Sequence, residues 1–201
     1  MNRRRFFREG LREMLRPLGS AIDKFADVAK QISDLDNLAN KPAPPPPAPQ
    51  TWMRPPGAVS ESLFPEMCRR SGECVRVCPV QAIKIDPSAY KGKGAPYIDA
   101  DEQACVVCDG LHCTSACPTG ALVTTARDNI RMGSAIWHED TCLRREGGSC
   151  TICVDRCPLG SVAIALREGR IEVIDAGCIG CGVCQHDCPT YPKSITVIPR
   201  S

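Results

Sequence analysis

Residues 178–189 read Cys178-Ile-Gly-Cys181-Gly-Val-Cys184-Gln-His-Asp-Cys188-Pro189, and this stretch decides the fold. Three thiols recur two residues apart, and a fourth follows after three more residues and is sealed by proline. Three thiols on one tight loop can wrap three corners of a compact polynuclear centre, with Gly180 and Gly182 leaving room for close backbone approach. The fourth lies past the loop and is aimed elsewhere, at the start of a short helix; the proline after it has no amide hydrogen to lose. Working outward, the closing Cys-x3-Cys-Pro occurs three more times, so one unit has been used repeatedly. The second group is Cys105, Cys108, Cys113 and Cys117-Pro118, with a longer loop before its third thiol. The third is Cys142, Cys150, Cys153 and Cys157-Pro158, with its insertion between the first two. The first reads Cys68-Arg-Arg-Ser71-Gly-Glu-Cys74-Val-Arg-Val-Cys78-Pro79, where Ser71 stands in the place of the second thiol; hence the odd total of 15 cysteines.

Disulfides, zinc and iron–sulfur clusters are the three chemistries open to so many cysteines. The odd count weakens a pure disulfide framework. Zinc sites build one tetrahedron from two Cys-x2-4-Cys pairs and have no use for a repeated Cys-Pro ending. The spacing Cys-x2-Cys-x2-Cys-x3-Cys-Pro is that of bacterial ferredoxins, in which the fourth thiolate completes the neighbouring cluster. The expected cofactors are three [4Fe-4S] clusters plus one further cluster at the Ser71 group. That last one is either a [3Fe-4S] cluster on three thiolates or a [4Fe-4S] cluster with a serine oxygen on the odd iron.

Composition agrees with a fold held by cofactors. Aromatic residues are 4% of the chain, with 18 prolines and 16 glycines, so an apolar core alone would struggle to offset the entropy of ordering the chain. A net charge of +2 gives no case for nucleic acid as a partner. No run approaches the about eighteen apolar residues of a membrane span, so the chain is expected to be soluble or peripheral. No Ser-His-Asp set, phosphate loop or dinucleotide glycine pattern appears, so no catalytic residues are assigned and no enzymatic activity is expected.

Three segments are expected. Residues 1–40 form a basic helical segment, with Phe7, Leu11, Met14, Leu18, Ile22, Phe25, Ala29 and Ile32 at helical spacing over 3–39 and a break at Pro17. Residues 41–57 hold Pro42, Pro44 to Pro47, Pro49, Pro55 and Pro56 and read as a stiff extended linker. Residues 58–201 carry all the cysteines. Asn2-Arg3-Arg4-Arg5-Phe6-Phe7-Arg8 looks like a twin-arginine export signal, but Glu9, Arg12, Glu13 and Arg16 replace the apolar stretch that export needs. Residues 3–39 therefore read as an amphipathic element for a membrane surface or a partner, in a cytoplasmic and peripherally attached protein. A periplasmic location is the alternative.

Connectivity suggests how the groups combine. Val123 to Thr141 is short and suits the strand pair inside a two-cluster module, so the second and third groups pair and the first and fourth enclose them. The expected sets are then Cys68, Cys74 and Cys188; Cys78, Cys178, Cys181 and Cys184; Cys105, Cys108, Cys113 and Cys157; and Cys117, Cys142, Cys150 and Cys153. Sequential pairing, first with second and third with fourth, is the alternative. His112 and His186 lie within cysteine loops, where they could modulate nearby sulfides but read as ordinary loop residues; Trp52 and Trp137 read as packing residues.

These motifs, their order and the lead-in Arg54-Pro55-Pro56-Gly57-Ala58-Val59 resemble the ferredoxin-type subunits of the periplasmic nitrate reductase and methylamine-utilisation systems, over about residues 54–199. The resemblance implies a polyferredoxin that passes electrons between a quinol or other donor and a redox protein partner, with no substrate chemistry of its own. Ser71 departs from the family's cysteine. The expected fold is α+β and ferredoxin-like, as two interleaved two-cluster modules behind an amphipathic helical segment. The alternative function is a cluster-bearing assembly or scaffold subunit of a redox enzyme.

Overall fold

The computed structural model describes residues 53–145 and 147–200, which fall within the compact unit Pro49–Ser201. The amphipathic segment expected over 3–39 and most of the proline linker lie outside the described residues.

The unit is built twice over from one plan: a lead-in strand, a cysteine motif, an antiparallel hairpin, a second motif and a closing strand. In the first half the hairpin pairs β1 (Ile83–Asp86) with β2 (Ala95–Ile98), Ile83 opposite Ile98. Its outer pair is short, one bridge between Ala58 and Leu122 flanked by Val59 N–H to Ala121 O at 3.0 Å and Val123 N–H to Gly57 O at 2.7 Å. In the second half β3 (Gly133–Trp137) runs antiparallel to the carboxy-terminal β6 (Ile195–Pro199), and β4 (Ile164–Arg167) pairs with β5 (Arg170–Val173). Between β4 and β5, Glu168 and Gly169 both hold positive φ, the backbone of a two-residue turn that matches strand twist.

The modules are therefore sequential, not interleaved. The reason is strand pairing: Val123–Thr141 does contain a strand, but β3 finds its partner in the last strand of its own half and not in the region before the second motif.

The expected domain boundary also moves. Met53 bridges to Ile98, and Pro55 and Pro56 are fully buried, so residues 53–57 belong to the folded unit and not to a linker. Arg54, 8% exposed, anchors them. Its Nε and Nη2 donate to Glu61 at 2.9 and 2.6 Å, its Nη1 to Pro96 O at 2.7 Å, and its Nη2 also to Tyr90 Oη at 2.9 Å. The guanidinium stacks over the Phe64 and Tyr90 rings at 5.0 and 5.2 Å. Here a bidentate fork and aromatic faces stabilise one buried charge together.

Two apolar clusters form the core. The larger contains Phe64, Ile83, Ile98, Val107, Leu122 and Ile130 and reaches across to Ile179 and Cys181 of the second half. The smaller holds Ala135, Ala163, Ile164, Ile171 and Ile195. Thiols belong to both, so the core is organised around the sites described next.

Candidate iron–sulfur sites

Each motif folds the same way. The residue at its third ligand position is the second residue of a four-residue helix: Cys74 in α1 (Glu73–Arg76), Cys113 in α2 (His112–Ser115), Cys153 in α3 (Ile152–Asp155) and Cys184 in α4 (Val183–His186). The closing cysteine comes four residues later, one turn on, so the helix precedes it rather than follows it. One helical turn thus separates the thiol that faces its own loop from the thiol that leaves it.

The thiols line four small pockets. Site A gathers Cys68, Cys74 and Cys117 with Ser71; site B gathers Cys78, Cys105, Cys108 and Cys113. Site C gathers Cys157, Cys178, Cys181 and Cys184, and site D gathers Cys142, Cys150, Cys153 and Cys188. Every closing cysteine has thus crossed to the other motif of its own half. The interleaved sets do not form: Cys188 joins Cys142 rather than Cys68, Cys117 joins Cys68 rather than Cys142, Cys78 joins Cys105, and Cys157 joins Cys178. His112 and His186 line none of the four.

Apart from the thiols the linings are mainly apolar, as with Ile83, Ile98 and Val107 at B and Ala135, Ile164 and Val197 at C. Among the described residues no three His, Cys, Asp or Glu side chains converge tightly enough for a single metal ion. Three or four thiols lining one shared pocket are a donor set that suits a polynuclear centre.

Burial dominates the thiol energetics. It pushes Cys105 up to about 12, and Cys74, Cys113, Cys153 and Cys181 up to about 11; Cys184 is raised further still. Repulsion from neighbouring thiols adds to this and shows which sites adjoin. Cys113 of B feels Cys74 of A, Cys105 of B feels Cys181 of C, and Cys184 of C feels Cys153 of D. The sites run A, B, C, D. Between B and C the Cys105 N–H donates to Cys181 O at 3.0 Å, a direct bond between the halves.

Cys117 and Cys188 differ. Burial acts to raise them too, but hydrogen bonds outweigh it and hold both below the ordinary thiol value. Leu122 N–H reaches Cys117 Sγ at 3.4 Å with Thr119 Oγ1 at 3.8 Å, and Thr190 Oγ1 lies 3.2 Å from Cys188 Sγ. The signal was present in the sequence as Cys-Pro-Thr at 117–119 and 188–190, against Cys78-Pro79-Val80 and Cys157-Pro158-Leu159. Both threonine-bearing cysteines serve the outer sites.

Gly180 and Gly182 also sit against close protein neighbours. A Cβ on Gly180 would lie 2.3 Å from Gly133 N, and one on Gly182 would lie 2.6 Å from Ala100 Cβ. The first glycine admits β3, and the second admits the other half of the molecule.

The 4Fe-4S dicluster domain family matches residues 67–121, which span sites A and B. The methylamine utilization ferredoxin-type protein MauM of Methylobacillus flagellatus is 36% identical over 178 residues, covering 81% of this chain and 73% of the relative. The chain belongs to the ferredoxin-type electron-transfer proteins. MauM of Methylorubrum extorquens is 39% identical over 164 residues, with 74% of this chain and 73% of the relative covered. The ferredoxin-type protein NapG of Escherichia coli is 34% identical over 164 residues, with 74% and 71% covered. As a ferredoxin-type protein the chain is an iron–sulfur electron relay.

A larger cavity of about 1130 Å3 without cysteine is lined by Arg54, Glu61, Asn129, Arg131 and Arg200. Its arginines are already engaged, by Glu61, by Asp128 O and Ile130 O, and by Asp175.

Proposed function

We propose that sites A to D each hold one iron–sulfur cluster, and that the chain relays electrons between partners that reach the two ends of this row. The grouping of Cys117 with Cys68 and Cys74 carries the reading, since it makes the first half a self-contained two-cluster unit. When bound, the clusters supply one-electron chemistry at potentials that span about −700 to +450 mV among such centres. Cys78, Cys105, Cys108 and Cys113 hold the second, Cys157, Cys178, Cys181 and Cys184 the third, and Cys142, Cys150, Cys153 and Cys188 the fourth. At site A, Cys68, Cys74 and Cys117 hold a three-iron cluster, with the exposed Ser71 leaving the fourth corner open.

The protein's own contribution is enclosure and hydrogen bonding. Apolar linings keep water from B and C, while Thr119 and Thr190 give the outer sites hydroxyl donors. The ends are where partners gain access: Ser71 is exposed at A, and Leu143 and Ile152 are exposed at the rim of D. The partners are a donor, quinol-linked in this reading, and a redox protein. The chain has no substrate site of its own. Residues 3–39 attach it to the cytoplasmic membrane face or to a partner.

A paired substitution tests the grouping. Cys74→Ala and Cys117→Ala should each damage the same cluster, so the double variant should lose one cluster's iron by anaerobic iron and sulfide analysis. Loss of two clusters' iron would restore the interleaved sets and sink the proposal.

A further inference from the structure

Trp137 ends β3 opposite Ile195, and both side chains line site D beside Cys142, Cys150, Cys153 and Cys188. Its indole Nε1 is fully buried and meets no hydrogen-bond acceptor among the described residues. A buried indole N–H normally finds a partner, and leaving one unsatisfied forfeits its hydration with nothing in return. The ring is held in place from another direction. Arg170 lies over it at 5.6 Å and is itself ion-paired with Glu139. Fixing an indole so firmly with its only donor idle makes no sense for a residue that merely packs. Around site D the hydroxyls of Thr190 and Ser194 bond each other at 2.7 Å, and the remaining side-chain acceptors are its sulfurs.

We propose that the Trp137 N–H donates a hydrogen bond to a sulfur of the cluster at site D, making Trp137 a positioning residue that raises that cluster's potential. The inference rests on the four-site reading above. Hydrogen bonds to cluster sulfurs favour the more negative, reduced state and are a recognised determinant of potential. Thr190 lines the same site. Its oxygen accepts Ser194 N–H at 2.9 Å and lies 2.7 Å from Ser194 Oγ; with the Ser194 hydroxyl donating to it, its own proton goes to Cys188 Sγ at 3.2 Å once that sulfur is a thiolate. Among the described residues no tryptophan lines A, B or C.

The test is an anaerobic potentiometric titration of the full holoprotein followed by electron paramagnetic resonance. The site D signal is assigned as the one lost in Cys150→Ala. Trp137→Phe keeps the ring and removes the donor; the isostere 3-benzothienylalanine at position 137 removes the donor with the shape unchanged. Both should lower the site D midpoint and leave the other three unmoved. A tenfold fall in the reduced-to-oxidised ratio at fixed potential, the size expected, corresponds to about 59 mV for one electron. If Trp137→Phe loses the cluster, the isostere decides alone. An isostere with four clusters and an unmoved site D midpoint overturns the inference, as does one in which all midpoints move together. A chain from which Cys150→Ala removes no cluster overturns the four-site reading itself, and this inference with it, before either Trp137 variant is measured.

Discussion

Gly72 and Gly182 occupy equivalent places, each just before a motif helix, and they offer a matched test of how the two halves dock. Both hold left-handed φ, +76° and +88°. An added Cβ at Gly72 would meet nothing within 4 Å, whereas at Gly182 it would stand 2.6 Å from Ala100 Cβ and 3.5 Å from Met53 Cε, both in the first half. Alanine at either position incurs about 1–2 kcal/mol of left-handed strain. Reduced freedom of the unfolded chain offsets about 0.4–1 kcal/mol of it. Gly72→Ala should therefore cost about 1 kcal/mol. Gly182→Ala should cost a further amount of about 1–3 kcal/mol, because the Ala100 methyl is rooted in backbone and overpacking of that kind strains its surroundings. The assay is anaerobic guanidinium denaturation of the holoprotein at fixed incubation time, followed by cluster absorbance and circular dichroism. Ala100→Gly should restore most of the extra loss in the Gly182→Ala background and none of the loss in Gly72→Ala. Equal costs for the two alanine variants, or no rescue by Ala100→Gly, would refute the claim that Gly182 exists to let the halves meet.

The other predictions concern chemistry. Oxidised protein should show a three-iron paramagnetic signal that Ser71→Cys abolishes; its absence together with four complete cubanes by iron analysis would make Ser71 a ligand. Thr190→Val and Thr119→Val should lower the midpoints of sites D and A respectively and leave B and C in place, and potentiometry showing no change at either would remove the hydroxyls from the account. Glu61 is held below the ordinary carboxylate range, first by its hydrogen bonds from Arg54 and against the opposing effect of burial. A depressed folded value means that its contribution is full above the unfolded value of about 4.3 and is lost as pH falls through the folded value. The stability gap between wild type and Glu61→Gln should accordingly be present at neutral pH and close in acid; a gap that widens in acid would contradict the pairing. Iron chelation under reducing conditions should abolish the cooperative unfolding transition, since metal binding supplies folding energy to such small sites; an apo form that melts like the holoprotein would refute this.

The sequence by itself determined the chemistry of this protein. Spacing such as Cys178-x2-Cys181-x2-Cys184 is a property of one loop, and a loop's thiols reach the same centre whatever the rest of the chain does, so the clusters and the oddity of Ser71 could be read directly. The threonines after Cys117 and Cys188 were equally visible, although their meaning was not, because only the outer position of those sites sets them apart. Tertiary structure alone decided where each closing cysteine goes. Cys-Pro turns the chain out of its own loop, and its destination depends on which strands pair: β3 with β6 across the whole second half, and Ala58 with Leu122 across the first. Local pattern carries little information about partners so distant, which is why the segment Val123–Thr141 pointed to the wrong pairing. The same holds for Arg54, Pro55 and Pro56, linker-like in composition yet buried because Glu61, Tyr90 and Phe64 converge on the arginine. It holds for Trp137 too: nothing in its neighbours along the chain places it at the pocket of Cys142, Cys150, Cys153 and Cys188 with its indole N–H buried and unpartnered among the described residues.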